Sequence, residues 1–418
     1  MKNIKNKTEQ IFVLTLFLLL FSIVSEAQNQ AKLNKILDGI NSGSKYMSEV
    51  LLDKNGKSNC EYSIIEGVWV DYEPAWHTGQ TIYALSRAHD ITNNDEYLSA
   101  AKKAANWWCS LEIKDNSKLN GMVKAIHMAG INYIVFATVS DGTAGLFHLY
   151  DKTGIDKYAA VPTQAGNWMY NNLYIPEKGL CYDMVDTLTG EVQKEWSAFW
   201  PDKEKQVLFD VARPNNEGSL FLDMYEYTKK EKYKEAFLNL SNSLVEKQYK
   251  NGLWMDFTPN DKRENSIHPR FNLWYAEALL NAWELTGDEN YILAALKTAR
   301  MYKKIQSKDG TFYYKNYTDG RSPDKSSVSG STVAFAGIIY LRLLKSGYGS
   351  EFENDIELCS NWLLNNRFAE NHPDPNLRGA FVETKVRLKN GKAIVLNRDV
   401  GTVFAVRFLA DYYEYLKK

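Results

Sequence analysis

Thr286-Gly287-Asp288-Glu289-Asn290-Tyr291 recurs along the chain as Thr92-Asn-Asn-Asp-Glu-Tyr97, Thr153-Gly-Ile-Asp-Lys-Tyr158 and Thr228-Lys-Lys-Glu-Lys-Tyr233. A looser copy runs from Ser346 to Phe352. The aromatic residues that close these phrases stand 61, 75, 58 and 61 positions apart. Self-similarity at such spacings marks stacked supersecondary units. Each phrase reads as one helix ending near Thr, a turn, and an acidic residue opening the next helix, where negative charge suits the positive helix end. Tyr then packs inward, and an Ala-rich amphipathic stretch follows, as in Tyr291-Ile-Leu-Ala-Ala-Leu-Lys-Thr-Ala-Arg300. The unit is a tight hairpin of two antiparallel helices.

Two further patterns bracket the hairpin. Lys178-Gly179-Leu-Cys-Tyr, Asn251-Gly252-Leu-Trp-Met and Asp309-Gly310-Thr-Phe-Tyr each follow the Tyr by about twenty residues. Their Gly suits a helix stop, and the residues beyond it suit a short extended segment. Ahead of each Thr phrase lies an apolar helix with a polar start. The starts are Trp76-His77-Thr-Gly-Gln80, Ser140-Asp141-Gly-Thr, Pro214-Asn215-Asn216-Glu217, His268-Pro-Arg270-Phe-Asn272, Ser329-Gly-Ser331 and Asn397-Arg398-Asp399. With a helix over about residues 30–52, six outer and six inner helices result. The predicted fold is all-α: an (α/α)6-type toroid of antiparallel hairpins, with short extended segments after the outer helices. Its inner helices all run one way, so their N-termini and polar starts gather on one face, which favours anions. A linear α-solenoid is the alternative and would spread the same starts along a groove.

Composition narrows the function. Fifty Lys and Arg balance 51 Asp and Glu, and no polybasic run appears, so no nucleic-acid partner is expected. Aromatic residues make up 13% of the chain, enough to furnish both a core and platforms for sugar rings. Lys2, Lys5 and Lys7, the apolar run Ile11–Val24 and the small residues Ser25 and Ala27 read as a signal peptide over 1–27. Export to the periplasm or beyond is expected, with residues 28–418 as one catalytic domain and no stable membrane insertion. Cys60, Cys109, Cys181 and Cys359 show no CxxC or disulfide framework and read mostly as buried thiols. No motif asks for a metal or other cofactor.

Hairpins of the Thr-Gly-Asp-x-x-Tyr type, with inner-helix starts rich in Trp, His, Asn and Arg, resemble the (α/α)-toroid carbohydrate enzymes. Those include glucuronan and alginate lyases, unsaturated glucuronyl hydrolases and sugar epimerases. Arg213-Pro-Asn-Asn216-Glu-Gly and His268-Pro-Arg270-Phe-Asn272-Leu-Trp-Tyr275 look most like the uronate-polymer lyases, such as polysaccharide lyase family 38. The resemblance implies β-elimination on an anionic uronic-acid polysaccharide or oligosaccharide.

Elimination needs the carboxylate neutralised, a base for the C5 proton and an acid for the leaving O4. His268 is the expected base, with Tyr314 or Tyr317 as its acid partner. Asn216, Arg270, Asn272, Arg321 and Arg398 are expected to bind the sugar acid. Trp76 and His77 form a sugar platform. A hydrolase of the same fold would instead draw paired carboxyls from Asp141, Glu217 and Asp399. A non-catalytic glycan-binding toroid would keep the aromatics alone. His89, His127, His148 and His372 have no cluster around them and read as structural or exposed.

Overall fold

A computed structural model of the chain describes residues 28–115, 117–127, 130–195, 208–389 and 391–418. The signal-peptide reading of 1–27 lies outside the described residues. Among those described, six helices form an inner ring and six an outer one. The outer helices are α1 (28–46), α3 (Asp95–Cys109), α5 (Lys157–Asn172), α7 (Glu231–Lys247), α9 (Glu289–Ile305) and α11 (Glu353–Asn365). The inner helices are α2 (Pro74–Thr92), α4 (Ala144–Thr153), α6 (Leu220–Thr228), α8 (Phe271–Thr286), α10 (Gly330–Lys345) and α12 (Val400–Lys417).

Every Thr phrase is a hairpin turn, held the same way each time. The hydroxyls of Thr92, Thr153, Thr228 and Thr286 donate to the carbonyl four residues back. They also accept the N–H two residues on. The next residue turns left-handed: Asn93, Gly154, Lys229 and Gly287 have φ of 54°, 65°, 57° and 74°. Asn94 and Asp288 then cap the following helix by accepting the N–H of Glu96 and Asn290. The Tyr that closes each phrase ties one outer helix to the one before it. Tyr97, Tyr158, Tyr233 and Tyr291 donate their hydroxyls to the side chains of Asn41, Asn106, Asn167 and Asn242.

The glycines of the second phrase do not stop the helices. Helix α7 ends at Lys247, five residues before Gly252. Gly252 sits at φ +84°, where a Cβ would lie 2.5 Å from the Lys297 carbonyl of α9. Close approach to the next outer helix is therefore what Gly provides there. Inside the ring the small residues permit contact between backbones: a Cβ on Gly79 of α2 would lie 1.9 Å from the Gly142 carbonyl oxygen, just before α4.

The ring closes. Helix α12 packs on α2, and its other side takes α1, where Gly39 and Gly43 face Leu409 and Val406. Arg87 of α2 pairs with Asp411 and Glu414 of α12 at 2.8 and 2.7 Å. The open-solenoid alternative is thereby excluded. Over the N-terminal ends of the inner helices lies a seven-stranded antiparallel sheet, more strand than the sequence suggested. Its order is Val68–Val70, Glu61–Ser63, Lys392–Arg398, Thr384–Lys389, Asp324–Val328, Tyr313–Tyr317 and Ser266–Ile267. None of the described helices is long and apolar enough to cross a membrane. The four cysteines are all unpaired, three of them buried.

Candidate active site

The polar inner-helix starts and the inner strands of the sheet enclose a cavity of ≈ 150 Å³. Trp76, Trp274 and Phe271 supply its apolar wall, and Arg213, Arg270, Arg398 and Lys385 its cations. Tyr72, Glu73, His127, Asp141, Glu217 and His268 complete the titratable lining.

Each arginine is held by a buried carboxylate. Arg213 donates to Asp183 and Glu217, both at 2.8 Å, and lies 5.1 Å from the Phe271 ring centre. Arg270 donates to Glu383 at 2.9 Å and Ser331 at 2.7 Å. Arg398 pairs with Glu61, which also faces Arg387 at 3.4 Å. The Tyr314 hydroxyl joins this group: it donates to Glu383 at 2.7 Å and accepts from Arg398 at 2.7 Å. Arg270 Nε and Arg398 Nη2 are buried without a hydrogen-bond partner among the described residues. Buried donors of this kind cost stability unless a ligand satisfies them. The indole N–H of Trp274 is in the same position.

Lys385 differs from the arginines. It makes no ion pair or hydrogen bond among the described residues, and its Nζ lies 5.1 Å from the Tyr314 ring centre. Burial, followed by repulsion from Arg398 and Arg387, pulls its ammonium down to about 7.

Across the cavity stands an ion pair. Glu73 precedes α2 with a left-handed backbone, φ 48° and ψ 50°, a strained state for a non-glycine residue. Its carboxylate meets His127 Nδ1 at 2.5 Å and accepts from Thr138 at 2.9 Å. Although burial works the other way, His127 and the Thr138 hydroxyl help hold Glu73 low, near about 2. Burial likewise opposes the charged form of His127, but Glu73 raises its pKa. The Tyr72 hydroxyl is 3.4 Å from His127 Nε2. Asp141 is buried, receives the Trp76 indole N–H, and is pushed up to about 7 by desolvation.

The structure sorts the residues expected from sequence. Trp76, Arg270, Arg398, His268, Asp141 and Glu217 line the cavity, and Tyr314 lies behind its arginines. His268 does not have the state of a base. Its Nδ1 accepts the N–H groups of Arg270 and Phe271 at the start of α8, so the neutral ring carries its proton on Nε2. Burial and the charges of Arg270 and Lys385 hold its pKa well below the usual value. Asn216 is spent on Phe237 and Ser241 of α7, and Asn272 on Trp254 and Asn260. Neither lines the cavity, and both are buried in contacts that hold the structure, which corrects their expected role in binding. His77 and Asp399 pair with each other at 0% exposure beneath the cavity, so neither reaches a sugar. Tyr317 and Arg321 stack at 4.1 Å on the outer part of the sheet, away from the cavity lining. Free helix N–H groups are also scarcer than expected: Glu383 takes that of Ser331, and His268 takes two. The pull on anions comes from side chains rather than helix ends.

Lys385, Glu73, Tyr72, Arg213 and Trp274 are among the lining residues that the sequence did not assign, and His127, expected to be structural or exposed with no cluster around it, instead stands in the cleft beside Glu73 and Tyr72. One signal was present: Lys385-Val-Arg387-Leu-Lys389-Asn390-Gly391 alternates charge with apolar residues before an Asn-Gly pair, which marks a β-hairpin. Such a strand places Lys385 and Arg387 on one face.

The opposite mouth of the ring holds a second, larger cavity of ≈ 460 Å³, into which Asp151, Asp223, Glu226, Glu277, Glu284 and Asp411 face. Asp141 lines both cavities. Among the described residues no group of His, Cys, Asp and Glu stands as metal ligands do.

Fold and site together define an (α/α) toroid with a cationic, aromatic-walled cleft over the N-termini of its inner helices. Similar folds occur in cellobiose 2-epimerase from Bacillus thermoamylovorans, with TM-score 0.69, 14% identity, and coverage of 91% of this chain and 100% of the other. An unsaturated glucuronyl hydrolase specific for heparin gives TM-score 0.68 at 12% identity, covering 92% and 98%. D-mannose isomerase gives TM-score 0.63 at 14% identity, covering 91% and 97%. Three different chemistries share this architecture, so the fold does not decide the reaction. Within the chain, residues 163–272 match the family model described as Pectic acid lyase. That stretch includes Arg213, Glu217, His268 and Arg270 of the cleft. No curated protein matches the sequence.

Proposed function

We propose that this chain is a carbohydrate-acting enzyme, a lyase that cleaves a uronic-acid polysaccharide by β-elimination. The observation that carries the reading is the cleft's cationic lining. Arg213, Arg270, Arg398 and Lys385 converge there, with two guanidinium N–H groups still unpartnered. A uronate carboxylate satisfies those donors. The same contacts stabilise the dianionic enolate-like state that forms when the adjacent proton leaves. The Pectic acid lyase match over 163–272 supports the same class. The acidic basin at the far mouth repels a polyanion, so substrate enters by the sheet-covered face.

His127 fits the role of acid. Glu73 raises the pKa of the imidazole against the effect of burial and so favours its charged form, and the ring Nε2 lies 3.4 Å from the Tyr72 hydroxyl at the cavity wall. His268 Nε2–H and the Trp274 N–H are placed to donate to sugar oxygens. A signal peptide over residues 1–27, as the sequence reads, would export the enzyme to where polymer is found.

A second reading rests on Asp141. Its carboxyl, pushed up to about 7, is partly protonated at neutral pH. That is the state a hydrolase needs in its acid.

One assay separates the two. The purified chain is incubated with polygalacturonate, glucuronan and alginate, and near-ultraviolet absorbance is followed beside reducing ends. New ends with matching absorbance are expected. New ends without absorbance would transfer the assignment to the hydrolase.

A further inference from the structure

We infer that Lys385 is the base of this elimination: its uncharged amine takes the proton from the carbon that bears the uronate carboxylate. The inference rests on the lyase reading and assigns a role that His268 cannot fill.

The geometry singles out Lys385. It sits on strand Thr384–Lys389, lines the cavity, and has no counter-ion among the described residues. The nearby carboxylates are already taken. Glu61 is shared by Arg398 and Arg387, and Glu383 is held by Arg270, Tyr314 and the Ser331 N–H. The groups around the amine are thus Arg398 and Glu61 from neighbouring strands, Arg387 on its own strand, Tyr314 below, and Arg270 and His268 at the start of α8. Burial disfavours the charged ammonium, and Arg398, Arg387 and Arg270 add to that against the opposing pull of Glu61, so its pKa falls to about 7 and the free amine is available near neutral pH. Substrate binding then helps the reaction. A carboxylate seated on Arg270 and Arg398 offsets their charge and raises the amine's proton affinity as the C–H bond opens.

The step balances without a co-reactant. The Nζ lone pair takes H5 as a proton. The C5–H electron pair becomes the C4–C5 double bond, and the C4–O4 bond breaks toward oxygen. The departing O4 takes a proton from the His127 imidazolium. Water then accepts the proton from the Lys385 ammonium and returns one to His127. A lysine pushed down and a histidine pushed up form the pair of oppositely tuned groups that an acid and a base require.

The test uses the full chain and the polymer that gives unsaturated ends. Lys385→Arg keeps a long cationic side chain at the position, fully charged, and removes the amine that can lose its proton near neutral pH. A base assignment expects kcat to fall by about 10²- to 10⁴-fold with KM little changed. Lys385→Ala should regain turnover with added methylamine, and the inflection in its pH profile should then follow the added amine. Circular dichroism and polymer binding confirm that both variants are folded. Lys385→Arg turning over within tenfold of the unaltered chain would overturn the inference and leave the lyase intact, because a carboxylate clamp tolerates arginine. Failure of amines to restore any turnover to a folded, polymer-binding Lys385→Ala would overturn it as well. If the unaltered chain releases no unsaturated ends, the lyase reading itself falls.

Discussion

Asp141 contributes more to stability in acid than at neutral pH. Burial raises its pKa to about 7, against about 3.9 in an unfolded chain. Between those values the folded state binds the extra proton. Its contribution is therefore fully present below about pH 4 and is lost as pH climbs through about 7. Asp141→Asn keeps an acceptor for the Trp76 indole and removes the titration. Urea unfolding at a series of pH values should show a flatter profile for the variant across that window; parallel profiles would mean that Asp141 stays charged in the folded protein. Arg270, Arg398 and Trp76 were legible in the sequence because polar residues at the start of an apolar helix have few places to go but the ring face. Lys385 and His127 were not, because a strand and a loop carry them to the cleft from far along the chain. Asn216 and Asn272 misled for a simple reason. An Asn at a helix start satisfies backbone and neighbouring side chains as readily as it binds a sugar.

The helix hairpin was the most legible element. A Thr that both donates backward and accepts forward, a left-handed residue, and a Tyr reaching the preceding Asn leave their mark at fixed spacing. Lys229 occupies the left-handed position where Gly154 and Gly287 stand in sister hairpins, with φ 57°. Lys229→Gly relieves a backbone conformation that costs a side-chain-bearing residue about 1 kcal/mol. Its denaturation midpoint should rise while the slope is unchanged. The sheet was less legible. Its strands Val68–Val70, Glu61–Ser63 and Ser266–Ile267 are too short to show a periodicity, and which strands pair is set by the loops the ring brings together.

Closure is a property of the whole molecule. Helix α12 bridges α2 and α10 in the inner ring and covers α1 from inside. In an open stack the loss of a terminal repeat leaves the others folded, because each repeat contacts only its neighbours. Here, removal of residues 400–418 exposes apolar faces on three helices at once. We expect the shortened chain to lose its cooperative unfolding transition, whereas a sharp transition at reduced stability would indicate solenoid-like independence. The charge asymmetry belongs to this scale too: Arg213, Arg270, Arg398 and Lys385 line one mouth, whereas carboxyl groups outnumber Arg342 and Arg407 at the other. All five hairpin turns face away from the cleft, and α1 lies against α12, so the circle has no privileged seam. The backbone could be nicked at the Gly287 turn and the start of α1 joined to the end of α12 through a linker, and the mouth that carries the cleft would not register where the circle is cut.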